Sequence, residues 1–383
     1  MAKKRLLLVG GGSGGHITPL VAILAEIDKK QNYDIRLWCD QKTLAMSRNL
    51  LHDYPDVLVE RVVAGKLRRY HHLAWWQHLR WSIFWPNFID LFRTASGLIQ
   101  SFVKLVLWRP NVVFAKGGYV CLPVGIAASL LRIKIIVHDS DTMPGLTNKI
   151  LAKRALRVAT GFPVEHYSYP SDKTVFTGIP VRLEYRPIKL SQQLAYKKKL
   201  GFSANRPLVV VVGGGLGSRC LNSAVVAGQH EVGRLASVAL AAGQLEYESV
   251  AEKITSPAIR VKPFYDDLYE YILASDLVVC RAGATTLAEL AAARKLAIVV
   301  PSAKLAGGHQ LKNAQALVRA KVAIVLSEEL ISQSPEVLSK KIVQTLQDRD
   351  SSSMQQMLDR FHKLAKLDAA SAVSDLIIGE MEG

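Results

Sequence analysis

Short apolar runs alternate with stretches of helical period along most of the chain, a pattern that predicts an α/β architecture. In the first half, runs at 5–9, 34–39, 57–63, 111–115 and 134–138 predict strands, separated by helices at 18–30, 42–52, 88–107, 121–131 and 144–155. The alternation resumes with strands near 208–212, 236–240, 258–261, 277–280, 296–300 and 322–326. Leu6–Val9 and Leu208–Val212 are apolar at every position, as strands of a parallel sheet buried on both faces require. Prolines and short polar runs around 162–180 mark a change of domain. The expected organisation is two doubly wound domains, 1–165 and 178–350, facing across a cleft, with a terminal helix at about 355–383 packing back on the first.

Each half opens on a strand followed by a glycine loop, GGGSGGH at 10–16 and GGGLGS at 213–218. Such loops turn a strand tightly into a helix whose free N–H groups attract anions, so a nucleotide-bearing substrate is the expected occupant. Gly10, Gly12 and Gly15 formally spell the dinucleotide fingerprint GxGxxG, but the acid it needs is offered only by Asp40, which comes late. His16 follows the glycines and can take a proton from an incoming hydroxyl; a histidine simply held in a helical turn is the plainer alternative. In the second half, Gly283 permits a close approach after the strand at 277–280, and the N–H groups of Ala284, Thr285 and Thr286 open a helix suited to a diphosphate. Glu289 suits the hydroxyls of a ribose, or complements the helix dipole. His309, Gln310 and Asn313 offer groups that read sugar hydroxyls, or cap a helix.

Charge narrows the partner. Lys and Arg number 49 against 32 Asp and Glu, a formal net of +17 that favours an anionic partner. Between Arg61 and Arg109 eight basic residues meet one acid, Asp90, and Trp75, Trp76, Trp81 and Trp85 cluster there. Trp81, Trp85, Phe88 and Phe92 recur at helical spacing with Phe84 beside them, and Pro86 is expected to kink or divide their helix. Indole rings flanked by cations suit a bilayer interface, although such stripes usually pack on a core. No nucleic-acid-binding motif accompanies them, so nucleic acid is not an expected partner. Cys39, Cys121, Cys220 and Cys280 have neither CxxC nor metal-ligand spacing, which fits reduced thiols in the cytosol. The apolar run before the first glycines is too short for a signal peptide, and nothing reaches transmembrane length.

Taken in order, the motifs resemble the MurG family. These are inverting N-acetylglucosaminyltransferases of GT-B fold, glycosyltransferase family 28, which convert lipid I to lipid II in peptidoglycan synthesis and so serve cell-wall biogenesis, cell shape and division. The resemblance covers nearly the whole chain: GGGSGGHITP (10–19), GKLRR (65–69), VVFAKGGYVCLPVGIAA (112–128), HDSDTMPGLTNK (138–149), GIPVR (178–182), the second glycine loop, PFYDDL (263–268), CRAGATTLAEL (280–290) and GHQLKNA (308–314).

The resemblance implies that Ser13, Gly14 and Gly15 line the cleft by the transferred sugar and the acceptor diphosphate, with His16 as base and Asp141 as a further catalytic candidate. Donor contacts are implied at Arg182 and Gly215 by the phosphates and at Phe264 and Tyr265 by the uracil. Ala284, Thr285, Thr286, Leu287, Ala288 and Glu289 would surround the diphosphate and ribose, and His309 and Gln310 the N-acetylglucosamine hydroxyls. Where the family carries Ser and Gln in the second glycine loop, this chain has Gly215 and Leu216, leaving backbone N–H groups to meet phosphate. Asp139 and Asp141 formally make a DxD, but in a loop of the acceptor domain, so no metal site is expected and no cofactor beyond the donor substrate, UDP-N-acetylglucosamine. The lipid I acceptor gives the segment with Trp75, Trp76, Trp81, Phe84, Trp85 and Phe88 an anionic membrane to dock on. It implies a peripheral enzyme on the cytoplasmic face of the cell membrane. A GT-B transferase for another lipid or a soluble acceptor, a nucleotide-sugar epimerase and a non-catalytic nucleotide-sugar binder stay open as alternatives.

Overall fold

A computed structural model of the chain describes residues 3–29, 33–66, 81–215, 217–265, 267–302 and 308–382. The chain divides into two compact units, residues 1–182 with 366–383 and residues 183–365.

In the first unit, β1 (Arg5–Val9), β2 (Asp34–Cys39), β3 (Leu58–Arg61), β4 (Val112–Ala115), β5 (Lys134–Asp139), β6 (Arg157–Thr160) and β7 (Thr174–Phe176) form one sheet. Its order is β3-β2-β1-β4-β5-β6-β7, with every pairing parallel. The helices between them are α1 (Thr18–Asp28), α2 (Gln41–Leu50), α3 (Trp81–Trp108), α4 (Cys121–Leu130) and α5 (Leu146–Ala152). Because strand side chains alternate, Leu7 and Val9 enter one core with Leu105, Cys121 and Val124 of α3 and α4. Leu6 and Leu8 enter the opposite core with Leu20 and Leu24 of α1. Both faces of β1 are therefore covered, which is why its sequence is apolar from Leu6 to Val9.

Two short strands, β6 and β7, escape the periodicity. Strand β7 lies inside the stretch taken as a domain change: it is three residues long, at the sheet edge, with Val175 and Phe176 exposed. An edge strand covered on few sides carries little apolar signal. Pro86, expected to kink or divide its helix, sits within the single helix α3 and does not divide it. The ring lacks one N–H and so forfeits one bond, which the many remaining bonds of a 28-residue helix outweigh.

The second unit repeats the plan. Strands β8 (Leu208–Val212), β9 (Ser237–Ala241), β10 (Ile259–Lys262), β11 (Leu277–Cys280), β12 (Ala297–Val299) and β13 (Ile324–Val325) pair in the parallel order β10-β9-β8-β11-β12-β13. Its helices are α6 (Leu190–Lys199), α7 (Arg219–Leu235), α8 (Tyr247–Ala251), α9 (Leu268–Ala274), α10 (Ala284–Ala292), α11 (His309–Ala320), α12 (Glu328–Gln333), α13 (Glu336–Gln347) and α14 (Ser352–Lys363). In each unit the strand order reverses direction beside the first strand, between β1 and β4 and between β8 and β11. Ligands of open α/β sheets bind at this switch point, outside the carboxyl ends of the strands. Both glycine loops leave from it.

The tail is two helices rather than the single one expected at 355–383. Two separate cores claim it: α14 buries Leu358 in the second unit, whereas α15 (Ala369–Glu382) buries Val373, Ile377 and Met381 against α1 in the first. Replacing Ile377 with Ala is expected to cost the first unit about 2–5 kcal/mol. Urea denaturation should show an earlier transition for that unit, while an unchanged midpoint would place Ile377 outside its core.

Candidate active site

The carboxyl ends of β1, β2, β4 and β5 bring four segments of the first unit together. Asp40, directly after β2, is the hub. Its Oδ1 accepts the Gly12 N–H at 3.0 Å and the Thr43 hydroxyl at 2.5 Å, and its Oδ2 accepts the Tyr119 hydroxyl at 2.6 Å. Burial works to raise this carboxyl, but the bonds from Thr43, Tyr119 and Gly12 outweigh it and hold the group below its ordinary range. The acid weighed for a dinucleotide ribose is thus committed to tying the glycine loop to the loop after β4. Those loops touch closely: a Cβ on Gly118, whose φ is +82°, would lie 2.4 Å from the Gly11 carbonyl oxygen.

His16 ends the short 3-10 turn Gly14–His16 and is half-buried. Its Nδ1 lies 3.1 Å from the Ser13 hydroxyl, and the ring also bonds the Gly11 carbonyl. The tautomer that carries its proton on Nδ1 leaves the Nε2 lone pair to accept. Burial first, then the Lys116 ammonium, push the imidazole down to about 4, against the pull of Asp141, the Gly11 carbonyl and Asp40. The ring is accordingly neutral at pH 7, the form a base needs.

Asp139 and Asp141 have different surroundings. Asp139 is buried, its Oδ2 accepting the Tyr169 hydroxyl at 2.8 Å and the Gly145 N–H at 3.0 Å, and burial pushes its carboxyl up. Asp141 is partly exposed, its charge acts on both His16 and Lys116, and its backbone carbonyl accepts the Tyr167 hydroxyl at 2.8 Å. Sequence reasoning missed Lys116, Tyr119 and Asn148, all near the carboxyl ends of β4 and β5. The available signal was position, since residues just past a central parallel strand reach the switch point.

In the second unit, the glycine loop after β8 bends through Gly214 (φ +87°) and Gly217 (φ +76°). A Cβ at Gly217 would lie 2.1 Å from the Ala242 carbonyl oxygen, whereas Gly214 and Gly215 face no described atom within 4 Å. Ser218 caps α7, its Oγ accepting the Leu221 N–H at 3.3 Å and Arg281 Nη2 at 2.6 Å. Arg281 also bonds Glu328 Oε1 at 2.5 Å and the Val300 carbonyl at 3.2 Å. The cap of α7 is therefore tied to the segment between β11 and α10 through the Arg281 side chain.

Helix α10 begins at Ala284 after Gly283; Thr285, Leu287 and Glu289 are buried, and Thr286 and Ala288 partly exposed. Asn313 of α11 donates to the Ala282 carbonyl at 3.1 Å, fastening α11 to the same loop. His309 and Gln310, half-buried in the first turn of α11, follow from that docking, and Gln310 Oε1 is oriented by the Ser302 N–H at 2.9 Å. Tyr265 is only 3% exposed, its ring 4.1 Å from that of Tyr271 and its hydroxyl on the Arg260 carbonyl, so its side chain is closed to a ligand. Phe264 beside it is 44% exposed. Arg182 is the last residue of the first unit and half-buried.

Helix α3 carries an apolar stripe to the surface. Trp81 is 74% exposed and Trp85, Phe88 and Phe92 are exposed as well, with neighbouring rings 5.9, 5.7 and 4.8 Å apart. Ile99, Phe102, Val103 and Val106 continue it. Trp75, Trp76 and the side chain of Phe84 lie outside what the structure describes. Among the described residues, no helix is long and apolar enough to cross a membrane.

The glycosyltransferase family 28 N-terminal domain matches residues 6–160, and the family 28 C-terminal domain matches residues 208–373. A UDP-N-acetylglucosamine--N-acetylmuramyl-(pentapeptide) pyrophosphoryl-undecaprenol N-acetylglucosamine transferase of Acetivibrio thermocellus is 31% identical over 379 residues, 97% of either chain. The chain belongs to the MurG branch of glycosyltransferase family 28. Among solved structures, Acinetobacter baumannii MurG superposes with a TM-score of 0.68 at 24% identity, covering 99% of this chain and 100% of that one. A UDP-N-acetylglucosamine 2-epimerase superposes with a TM-score of 0.65 at 12% identity, covering 99% and 97%. The fold is shared with both activities, and full-length sequence similarity selects the transferase.

The burial of His16 has a direct readout. Followed by NMR in the unliganded protein, its ring is expected to protonate near pH 4, well below the ordinary 6.5, and to stay neutral above. Titration at the ordinary value would mean that neither burial nor Lys116 acts on it.

Proposed function

We propose that this family 28 member transfers N-acetylglucosamine from UDP-N-acetylglucosamine to the C4 hydroxyl of the N-acetylmuramoyl unit of lipid I, giving lipid II. The full-length similarity to a named transferase of that reaction carries the reading. The first unit takes the acceptor and the second the donor.

The donor falls to α10 and its surroundings. Backbone N–H groups at Ala284, Thr285 and Thr286 meet the diphosphate at a helix N-terminus, Glu289 accepts from the ribose hydroxyls, and the backbone at Tyr265 reads the uracil beside Phe264. Leu287 and Ala288 shape the same turn, and His309 and Gln310 read the sugar hydroxyls. Gly215 brings only backbone to the phosphates, and Arg182 supplies a cation. The donor is a substrate, and this reading calls for no cofactor and no nucleic acid.

The reaction is a single displacement. The C4 oxygen bonds to the anomeric carbon from the face opposite UDP, its proton passes to Nε2 of His16, and the bond from the anomeric carbon to the diphosphate breaks with its electron pair on UDP. Inversion gives a β1,4 link. Ser13, Gly14 and Gly15 line the acceptor side, and Asp141 stabilises the imidazolium. Base catalysis of this kind contributes about 10²–10⁴-fold, and phosphate-facing N–H groups stabilise the departing charge.

The test is turnover of purified protein with lipid I and a panel of UDP-sugars. UDP release and a β1,4-linked disaccharide are expected with UDP-N-acetylglucosamine, and His16→Ala should lower kcat by about 10²–10⁴-fold with little change in donor KM. Formation of a 2-epimerised sugar, or donor binding without transfer, would overturn the assignment.

The stripe on α3 supports peripheral attachment to the cytoplasmic face of the cell membrane. A 28-residue helix is about 42 Å long, enough to lie in the interface with its rings in the acyl boundary and the surrounding cations on anionic headgroups. Replacing both Trp81 and Trp85 with Ser should leave the melting temperature unchanged, since both rings are exposed. Sedimentation with anionic liposomes and activity on lipid-embedded acceptor should fall, with activity on a short-chain soluble acceptor kept. Undiminished liposome binding by the folded variant would locate the docking face elsewhere.

A further inference from the structure

Lys116 directly follows β4 and is 1% exposed. Its ammonium donates to the Ser140 hydroxyl just past β5, and the charges of Asp139 and Asp141 act on it. The next peptide packs on the imidazole: a Cβ on Gly117 would lie 3.5 Å from His16 Cδ2, and one on Gly118 would lie 3.2 Å from Nδ1. A buried ammonium is expensive, and an apolar side chain of similar volume commonly stabilises such a site as well or better. Packing alone therefore does not account for a lysine here. Its charge is available to act on His16.

We propose that Lys116 is a positioning residue for the transfer: added to the effect of burial, its charge widens toward acid pH the range in which His16 Nε2 is free to take the acceptor proton, while Asp141 supports the imidazolium formed as that proton moves. The inference rests on His16 being the base. In the step itself the C4 O–H bond breaks toward Nε2, the new bond to the anomeric carbon forms, and the electron pair of the broken bond leaves on UDP. Lys116 keeps its protons throughout.

Among the described residues, few charges act on the pair. Around His16 stand Lys116, Asp141 and Asp40; around Lys116 stand Asp139, Asp141, His138 and Cys121. Burial holds the Cys121 thiol up at about 12 and His138 well below its ordinary value, so both are neutral. Lys116 and Asp141 thus oppose each other at the imidazole, which gives them opposite signatures.

The experiment is the pH profile of kcat/KM with lipid I and UDP-N-acetylglucosamine, paired with NMR titration of His16 in each unliganded variant. Lys116→Met should move the acid limb and the His16 titration to higher pH by about one unit, and Asp141→Asn should move both to lower pH. Lys116→Gln, which can still bond Ser140, repeats the test if the Met variant melts early. Unmoved limbs and titrations, or shifts of the same sign, would overturn the proposal. Failure of the underlying reading looks different: His16→Ala would then keep near-normal turnover, whatever Lys116 does to the titration.

Discussion

A parallel sheet covered by helices on both faces leaves only its strand ends open to chemistry. This constraint governs both units. Leu6, Leu7 and Leu8 are all fully buried, and so are Val209, Val210 and Val211, so the middle of either sheet offers a ligand nothing. What remains are the loops at the carboxyl ends, where strand order reverses and two neighbouring connections leave toward opposite faces. His16, Asp40, Lys116 and Asp141 come from four different strand ends, and only the parallel register of β2, β1, β4 and β5 makes them neighbours.

Gathering charges at such a rim is costly, and the first unit manages it by assigning each carboxylate different partners. Asp40 is spent on Gly12, Thr43 and Tyr119, and Asp139 on Tyr169 and Gly145. Both hold loops. Asp141, less buried, keeps its field for His16 and Lys116. Three acids within a few residues of strand ends therefore take different roles, set by hydrogen bonds and exposure rather than by residue type.

Most strands proved legible, including the edge strands β3 and β10 with their charged residues; the four-residue β6 and the three-residue edge strand β7 were too short to stand out. The glycine loops and the helix at Ala284 were equally legible, because backbone geometry dictates glycine and a helix start is written in adjacent residues. Long-range commitments were not. Asp40 stands at the strand end where an acid was sought, yet its partner Tyr119 lies 79 residues away, and that bond decides what the acid does. A lysine after a strand reads as a solvated end; Lys116 is buried only because β5, 24 residues on, delivers Ser140 beside it. The Tyr265 ring packs inward onto Tyr271, in keeping with the expectation that its backbone, not its side chain, faces the donor.

The altered second glycine loop fits the same logic. Under the proposed function, Gly215 and Leu216 bring no side-chain donor to phosphate, and anion binding there would depend on how firmly the backbone N–H groups are aimed. Preorganised donors lose less entropy on binding than mobile ones. Arg281 braces this backbone: one guanidinium bonds the cap of α7, the carbonyl of Val300 just past β12 and the first residue of α12, while Gly217 lets the loop close against the Ala242 carbonyl. Arg281 itself is two residues before the Gly283 that opens α10, so the loop that follows β8 and the helix that follows β11 are set by one side chain.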